Sequence, residues 1–358
     1  MAAAIRLSRR HLGLTLTNPA VGTLIVRDDG AGPIIVGRGI TALGGRPHAE
    51  AEALAEAGVL ASGATAYVTL ESCAHHGRTP PCAEALVTAG LARVVGAASD
   101  PDPRVSGRGY EILRRAGIAV TEGVLAERAA DQMAGYLMRS IGKRPEVTLK
   151  LAVSSDEMIG RQSEGQVAIS GPVSRRQAHL IRAESDAILI GIGTALADDP
   201  ELTVRLPGLE DRSPARIVID REAQLPLGSK LVLSAGQVPT LVAASADAPA
   251  ERRRALEAAG VRLLATEILD GRVALPELLE DLAARGISTL MLEGGAGIAR
   301  AFLAEDLVDR LALVSSPVVV GGQGVPAPVT ADRVPAGFVL VRNAVFGDDT
   351  YTEFVRRR

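Results

Sequence analysis

The only two cysteines of this chain, Cys73 and Cys82, sit on one short loop downstream of the triplet His48-Ala49-Glu50, and no other feature limits the possible folds so tightly. A catalytic zinc ion takes three nitrogen or sulfur ligands from protein and leaves its fourth position to water. His48, Cys73 and Cys82 supply those three. Glu50, two residues beyond His48, can approach the open position without ligating and so can serve as a base. The other arrangement these residues allow is a closed site with His75 or His76 as fourth ligand, which would leave Glu50 without a task. The fold has to gather one imidazole, two thiolates and one carboxylate at a single point.

At 358 residues the chain exceeds the usual length of one compact domain, and two domains with separate cores are expected. Aromatic residues make up only 2% of it and Trp is absent while hydrophobic residues reach 47%, so the cores must be aliphatic. Lys and Arg number 39 against 42 Asp and Glu, a net charge of −3 without the basic excess that a nucleic-acid or anionic membrane partner selects. The expected partner is a small molecule. No run of about 18 apolar residues is present, and Met1 to Arg10 lacks the long apolar stretch of a secretory signal, so a cytoplasmic protein is expected. In a reducing compartment the cysteine pair reads as thiolate ligands rather than a disulfide.

Apolar strand-like runs alternate with helix-like runs along the first 140 or so residues, the pattern of an α/β sandwich. Ile5 to Leu12 reads as a helix, Val21 to Val26 and Ile34 to Val36 as a hairpin around Asp28-Asp29-Gly30. Pro47 then opens a helix at His48 to Ala57, placing His48 and Glu50 in its first turn. Thr65 to Leu70 is the next strand, and Pro80-Pro81 opens a helix with Cys82 in its first turn, where the partial positive charge of the helix end favours thiolate. A strand over Arg93 to Ala98, a loop at Asp100-Pro101-Asp102-Pro103 and a helix from about Leu125 to Arg139 follow. Gly142-Lys143-Arg144-Pro145 breaks that helix, giving expected domains of 1–143 and 144–358. The second series has strands at Val147 to Val153, Ala187 to Ile190, Arg216 to Asp220, Thr240 to Ala243, Thr289 to Leu292 and Leu311 to Val314. Its helices fall near Val173 to Ala183, Ala250 to Ala259, Pro276 to Arg285 and Gly297 to Ala304.

A His and two cysteines as ligands, with a non-ligating Glu two residues after the His, is the arrangement of zinc nucleobase deaminases, whose cysteines are usually spaced C-x-x-C. Here the loop Glu71-Ser72-Cys73-Ala74-His75-His76-Gly77-Arg78-Thr79-Pro80-Pro81-Cys82 inserts eight residues between them. Taken with Asn18-Pro19-Ala20-Val21-Gly22, that insertion resembles the deaminase domain of the bifunctional riboflavin-biosynthesis deaminase/reductase family. The resemblance implies a cytidine-deaminase-like α/β/α sandwich, Zn2+ on His48, Cys73 and Cys82, Glu50 as the catalytic proton shuttle, and a phosphoribosylaminopyrimidine substrate. It also implies a pocket lined by Asn18, His75 and Arg78, with Arg78 able to pair with phosphate. Ser72 departs from the proline that the family usually carries there.

Glu293-Gly294-Gly295-Ala296-Gly297 follows a strand and opens a helix, a place where backbone N–H groups can meet a nucleotide phosphate. Arg300 occupies the third glycine position of G-x-G-x-x-G, so a Rossmann domain is not expected. With Leu149-Lys150-Leu151-Ala152, Leu180-Ile181-Arg182-Ala183, Gly191-Ile192-Gly193-Thr194, Asp198-Asp199-Pro200 and Leu202-Thr203-Val204-Arg205, it resembles the reductase domain of the same family. That implies a dihydrofolate-reductase-like α/β domain using NADPH. By the same resemblance Ala152, Thr194, Asp198 and the turn Gly295, Ala296, Gly297, Ile298, Ala299, Arg300 and Ala301 would meet NADPH. Arg182, Leu202, Arg205 and Glu293 would meet substrate, the two arginines through planar forks suited to phosphate, and Lys150 would steer the opened sugar. Ala168 stands where the family often has Trp. Self-association is a further family expectation. His11 and His179 are expected in surface or core roles.

Two other readings are open to a sequence of this kind. One keeps the deaminase and makes the carboxy domain a nucleotide-binding remnant; the other is a nonenzymatic zinc-stabilised nucleotide or RNA binder, which the acidic balance and the shortage of aromatic rings oppose.

Overall fold

The structure is a computed structural model that describes residues 1–76, 80–102, 105–162, 165 and 167–357. It divides into two compact units, Met1–Lys143 and Arg144–Arg358. Among the described residues no helix is long and apolar enough to cross a membrane.

The first unit runs α1 (Ala2–Ser8), β1 (Gly22–Arg27), β2 (Ile34–Ile40), α2 (Ala49–Ala57), β3 (Thr65–Leu70), α3 (Cys82–Thr88), β4 (Arg93–Ala98), α4 (Arg108–Arg115), β5 (Ala119–Thr121), α5 (Ala126–Gln132) and α6 (Ala134–Gly142). Its sheet has the order β2-β1-β3-β4-β5. β1 is antiparallel to both β2 and β3, while β3, β4 and β5 run parallel and need helical crossovers between them. With few aromatics available, the core is built from small side chains, Ala49, Ala53, Ala66 and Ala83 among Ile25, Val68, Leu86 and Leu113. Small side chains let helices lie close. A Cβ on Gly39 would fall 1.9 Å from the Ala49 carbonyl oxygen, and one on Gly37 2.2 Å from that of Ala53, so these two glycines set α2 directly on β2. The amino end of α2 is thereby held over the sheet.

Three expectations for this unit change. The helix expected from Leu125 is two, α5 and α6, because Leu125 itself takes a left-handed conformation and Met133 leaves helical geometry between them. α4 and β5 went unread, since α4 is eight mostly polar residues that bury only Gly109, Tyr110 and Leu113, and β5 is three residues long. His48 is the N-cap of α2, in extended geometry, rather than a member of its first turn.

The second unit begins with β6 (Glu146–Val153), β7 (Met158–Arg161), α7 (Pro172–Ala183), β8 (Ala187–Gly191), α8 (Ile192–Asp198), β9 (Ala215–Ile219), α9 (Lys230–Leu233), β10 (Thr240–Ser245), α10 (Ala250–Ala258) and β11 (Arg262–Thr266). It continues with β12 (Ile268–Leu269), β13 (Arg272–Val273), α11 (Leu275–Ala284), β14 (Thr289–Leu292), α12 (Ala296–Ala304), β15 (Arg310–Ser315), β16 (Gly324–Pro326), β17 (Phe338–Phe346) and β18 (Asp349–Arg356). Nine strands form one sheet in the order β11-β10-β9-β8-β14-β6-β15-β18-β17. It is parallel from β11 to β15 and finishes in an antiparallel hairpin. Both faces are covered, and Ala187, Ile188, Leu189 and Ile190 are fully buried along β8, as a strand inside a parallel sheet requires. Later strands insert β14 between β8 and β6. The carboxyl ends of β8 and β14 therefore open side by side, each leading straight into a helix, α8 and α12, and such a crevice is where open α/β sheets bind ligands.

Candidate functional sites

In the first unit α2, the β3–α3 loop and the start of α3 meet in a cavity of about 620 Å3 lined by Asn18, His48, Glu50, Cys73 and His75 among others. Glu71, at the end of β3, accepts hydrogen bonds from the N–H groups of Gly107 and Gly109 at 3.1 Å each, which ties the start of the metal loop to the amino end of α4. Gly109 is required there, because a Cβ would lie 2.1 Å from the Ser72 carbonyl oxygen. The loop so held presents Cys73. His48 Nδ1 lies 3.7 Å from Cys73 Sγ and 3.4 Å from Cys82 Sγ, and the three candidate ligand atoms fall within 4.8 Å of one another. Zinc–sulfur and zinc–nitrogen bonds of about 2.3 and 2.0 Å at tetrahedral angles put S and N roughly 3.6 Å apart, so the donor set fits the ion.

Among the described residues no other His, Cys, Asp or Glu joins this group. The closed four-ligand alternative fails accordingly: His76 turns to Glu84 at 3.5 Å, and His75 lines the cavity with a buried Nδ1 that has no hydrogen-bond partner. Glu50 is 4% exposed, and burial, with the negative Cys73 beside it, raises its carboxyl above the ordinary carboxylate range. The hydrogen bond from the Cys82 thiol lowers the Cys73 thiol, and that sharing raises Cys82 in turn. The sequence reading gave the helix-end benefit to Cys82. The structure gives it to Cys73, because the Cys82 N–H at the start of α3 points at the Cys73 sulfur. Hydrogen bonding to Cys73 raises His48.

Arg78 lies outside the described residues. Sequence reasoning missed further polar residues that line the same cavity: Asp100, which accepts from the Tyr136 hydroxyl at 3.1 Å, together with Arg139 and Lys143. Tyr136, Arg139 and Lys143 recur at helical spacing, and that was the available signal.

In the second unit a cavity of about 1080 Å3 opens at the ends of β8 and β14. Lys150, Ala152, Arg182, Thr194, Asp198, Leu202, Arg205, Glu293, Gly295, Gly297 and Ile298 all line it. At its floor the Glu293 carboxylate takes Lys150 Nζ at 3.2 Å on one oxygen and Arg182 Nη2 at 2.7 Å on the other. Burial alone would raise Glu293, but the Lys150 and Arg182 charges overrule it and hold the carboxyl down at about 2. Thr194 Oγ1 accepts the Gly295 N–H at 2.9 Å, and a Cβ on Gly295 would come within 3.2 Å of that oxygen, so α8 and α12 pack across the glycine-rich turn at hydrogen-bond range. The turn leaves main-chain N–H groups of the α12 amino end beside the cavity, a fit for a nucleotide phosphate.

Not every residue expected at this site lines the cavity. Ala296, Ala299, Arg300 and Ala301 are not among the lining residues: a helix turns 100° per residue, which sends Ala299 into the core, packs Ala301 against that core, and aims Arg300 at the Pro326 carbonyl oxygen. Arg182 braces the floor through Nη2 to Glu293 and Nη1 to the Thr203 carbonyl oxygen, while its buried Nε–H has no partner among the described residues. Ala168 lines the wall without an aromatic face. His179, expected in a surface or core role, also lines this cavity.

The family model for the cytidine and deoxycytidylate deaminase zinc-binding region matches residues 1–98, and that for the RibD C-terminal domain matches residues 145–349. The chain is 39% identical over 321 residues to the riboflavin biosynthesis protein RibD of Aquifex aeolicus, covering 90% of this chain and 87% of the relative. It is 39% identical over 332 residues to that of Escherichia coli, covering 90% and 88%. Among solved structures, Acinetobacter baumannii RibD aligns with a TM-score of 0.85 at 36% identity, covering 100% of this chain and 98% of that one. The Thermotoga maritima diaminohydroxyphosphoribosylaminopyrimidine deaminase/5-amino-6-(5-phosphoribosylamino)uracil reductase aligns at 0.84 and 30%, covering 100% and 97%. Over nearly its whole length, then, this chain belongs to the RibD family of bifunctional riboflavin-biosynthesis enzymes, a zinc-binding deaminase domain followed by a RibD reductase domain.

Proposed function

We propose that residues 1–143 hydrolytically deaminate 2,5-diamino-6-(5-phosphoribosylamino)pyrimidin-4-one and that residues 144–358 reduce the deaminated product with NADPH, converting its ribose into a ribityl chain. The observation that carries the reading is the fully buried Glu50 beside a His48, Cys73 and Cys82 set with the spacing of a tetrahedral ion. Zinc held by those three residues supplies a water of near-neutral pKa. Glu50 takes the proton of the attacking water, then returns protons to the ring nitrogen and to the amine that leaves as ammonia, a role suited to a buried carboxyl that reaches the open side of the ligand set. Asn18 and His75 orient the pyrimidine, and Arg78 meets the phosphate.

In the second cavity the amino end of α12 with Thr194, Gly295 and Gly297 takes a phosphate of NADPH, with Ala152 and Asp198 along the cofactor's path. NADPH held there would supply the hydride for the sugar C1. Lys150, anchored by Glu293, directs the opened sugar, Leu202 closes over it, and Arg205 meets its phosphate. A homo-oligomer in the cytoplasm suits this role.

Incubating the zinc-loaded protein with the diaminopyrimidinone and NADPH tests both halves. Ammonia release followed by loss of nicotinamide absorbance is the expected result. Ammonia without NADPH oxidation would favour the nucleotide-binding remnant, and no ammonia at all would overturn the deaminase assignment.

A further inference from the structure

His179 and Arg182 stand three apart on α7 and so share a face of that helix. Both reach the same neighbour. Arg182 Nη1 donates to the Thr203 carbonyl oxygen at 2.6 Å, and the Arg205 N–H donates to His179 Nδ1 at 3.3 Å. Thr203 and Arg205 lie two residues apart, about 7 Å in extended chain, a span that two side chains one helical turn apart can match. One helix face thus clamps the segment at two points.

The clamped segment has reason to need it. Between α8 and β9 the chain forms only a short turn at Glu210–Arg212, and Asp199 and Leu202 carry left-handed φ values of 39° and 55° without being glycine. Such residues keep their conformation only when the surroundings impose it. Between the two clamp points, the Val204 N–H bonds the Ser213 hydroxyl at 3.0 Å. The side chain that this arrangement presents is Arg205, 55% exposed at the cavity and paired with Glu201 at 3.0 Å, a surface pair of small worth that a doubly charged anion can displace. Arg182 is 9% exposed and already bonded to Glu293 and the Thr203 carbonyl oxygen, which leaves Arg205 the more accessible guanidinium.

We infer that His179 is a positioning residue of the reductase: by accepting the Arg205 N–H it fixes the 202–205 segment so that the Arg205 guanidinium meets the phosphate of the sugar substrate. The inference rests on the reductase reading above. Because Nδ1 accepts, the ring proton sits on Nε2, and a doubly protonated ring would have no acceptor to offer. Burial, then the nearby Arg182, Arg205 and Lys150 charges, outweigh Glu293 and hold His179 down at about 4, so the acceptor persists at neutral pH.

Three proteins decide it: wild type, His179→Leu, which deletes the acceptor at similar volume, and His179→Asn, whose amide oxygen stands in for Nδ1. Each is assayed for NADPH oxidation with the deaminated phosphoribosyl substrate and with its dephosphorylated counterpart. A single hydrogen bond corresponds to about a five- to tenfold change. H179L is expected to raise KM for the phosphorylated substrate by about that much with kcat within about twofold, H179N to stay within about twofold of wild type, and all three to share one KM on the dephosphorylated substrate. An unchanged KM in H179L, equal losses on both substrates, a fall in kcat alone, or an H179N as impaired as H179L would each overturn the inference. Ammonia release and KM for NADPH monitor folding, and His179→Ala replaces the leucine variant should either fail. A wild-type protein that oxidises no NADPH overturns the reductase reading and this inference with it; active enzymes with the wrong KM pattern overturn the inference alone.

Discussion

The main-chain N–H of Cys82 donates to the sulfur of Cys73 at 3.2 Å, so the first residue of α3 stabilises charge on the other cysteine of the pair. A thiolate already favoured at Cys73 lowers the cost of releasing a proton when a metal enters, and Cys82 gives up its own only as the ion arrives. Cys73→Ala should therefore drop bound zinc from one per chain to near zero and abolish ammonia release, a larger loss than the roughly 10- to 100-fold cost of disturbing a residue that only orients a ligand. Elemental analysis and an ammonia assay check this. NADPH oxidation with supplied deaminated substrate should be unaffected.

Glu50 separates binding from chemistry. Its carboxylate is not among the ligating group, so Glu50→Gln should keep zinc while ammonia release falls about 10²- to 10⁴-fold, the usual worth of a positioned proton shuttle. Burial and the Cys73 charge raise its pKa above the ordinary value of about 4.3. A raised carboxyl pKa means that the base is lost on acidification sooner than an exposed glutamate would lose it. In the metal-free protein the Glu50 carboxyl should therefore titrate above about 4.3, and zinc, whose charge favours the carboxylate, should move it down on binding; a Glu50 that titrates at or below that value without metal would contradict its burial.

What the sequence disclosed follows from the strength of each local signal. The central strands were readable because a strand covered on both faces is apolar throughout, as Ala187 to Ile190 are. β17 escaped notice because most of its side chains are exposed and show no alternation, and α8 because Ile192–Asp198 is one short stretch with a glycine inside it. Chemistry carried by rare residues is legible: two cysteines in 358 residues leave little choice, and His48, Cys73 and Cys82 do converge. Chemistry carried by common residues is not. Nothing local marks His179 as the acceptor for Arg205, or tells that Arg182 donates to the Thr203 carbonyl oxygen, since both facts depend on a loop that is distant in sequence.

Glu293 makes the floor of the second cavity sensitive to acid. Its folded-state carboxyl sits at about 2, below the roughly 4.3 of an unfolded glutamate, so its contribution to stability is complete above about pH 4.3 and fades as pH falls toward 2. Glu293→Gln leaves Lys150 and Arg182 facing each other without a counter-charge and should destabilise the protein by about 1–3 kcal/mol at neutral pH. Urea unfolding at several pH values should show the difference between the two proteins shrinking below about pH 4. A difference that is constant with pH would mean that the carboxylate charge contributes nothing.

Thr194 supplies the acceptor that holds the Gly295 N–H, and with it the entry to α12, at the end of β8. Thr194→Val preserves shape and β-branching while removing the hydroxyl, so the turn loses one bond and the Gly295 N–H loses its partner. If the amino end of α12 holds a cofactor phosphate, the loss should appear in cofactor affinity rather than in the sugar site. KM for NADPH should rise about 5- to 10-fold, the worth of one hydrogen bond, with KM for the deaminated substrate within about twofold. Ammonia release from the same preparation should match wild type, because Thr194 lies in the second unit and the zinc ligands in the first. Equal affinity for NADPH in both proteins, measured by direct titration of the cofactor, would remove the glycine-rich turn from the cofactor site.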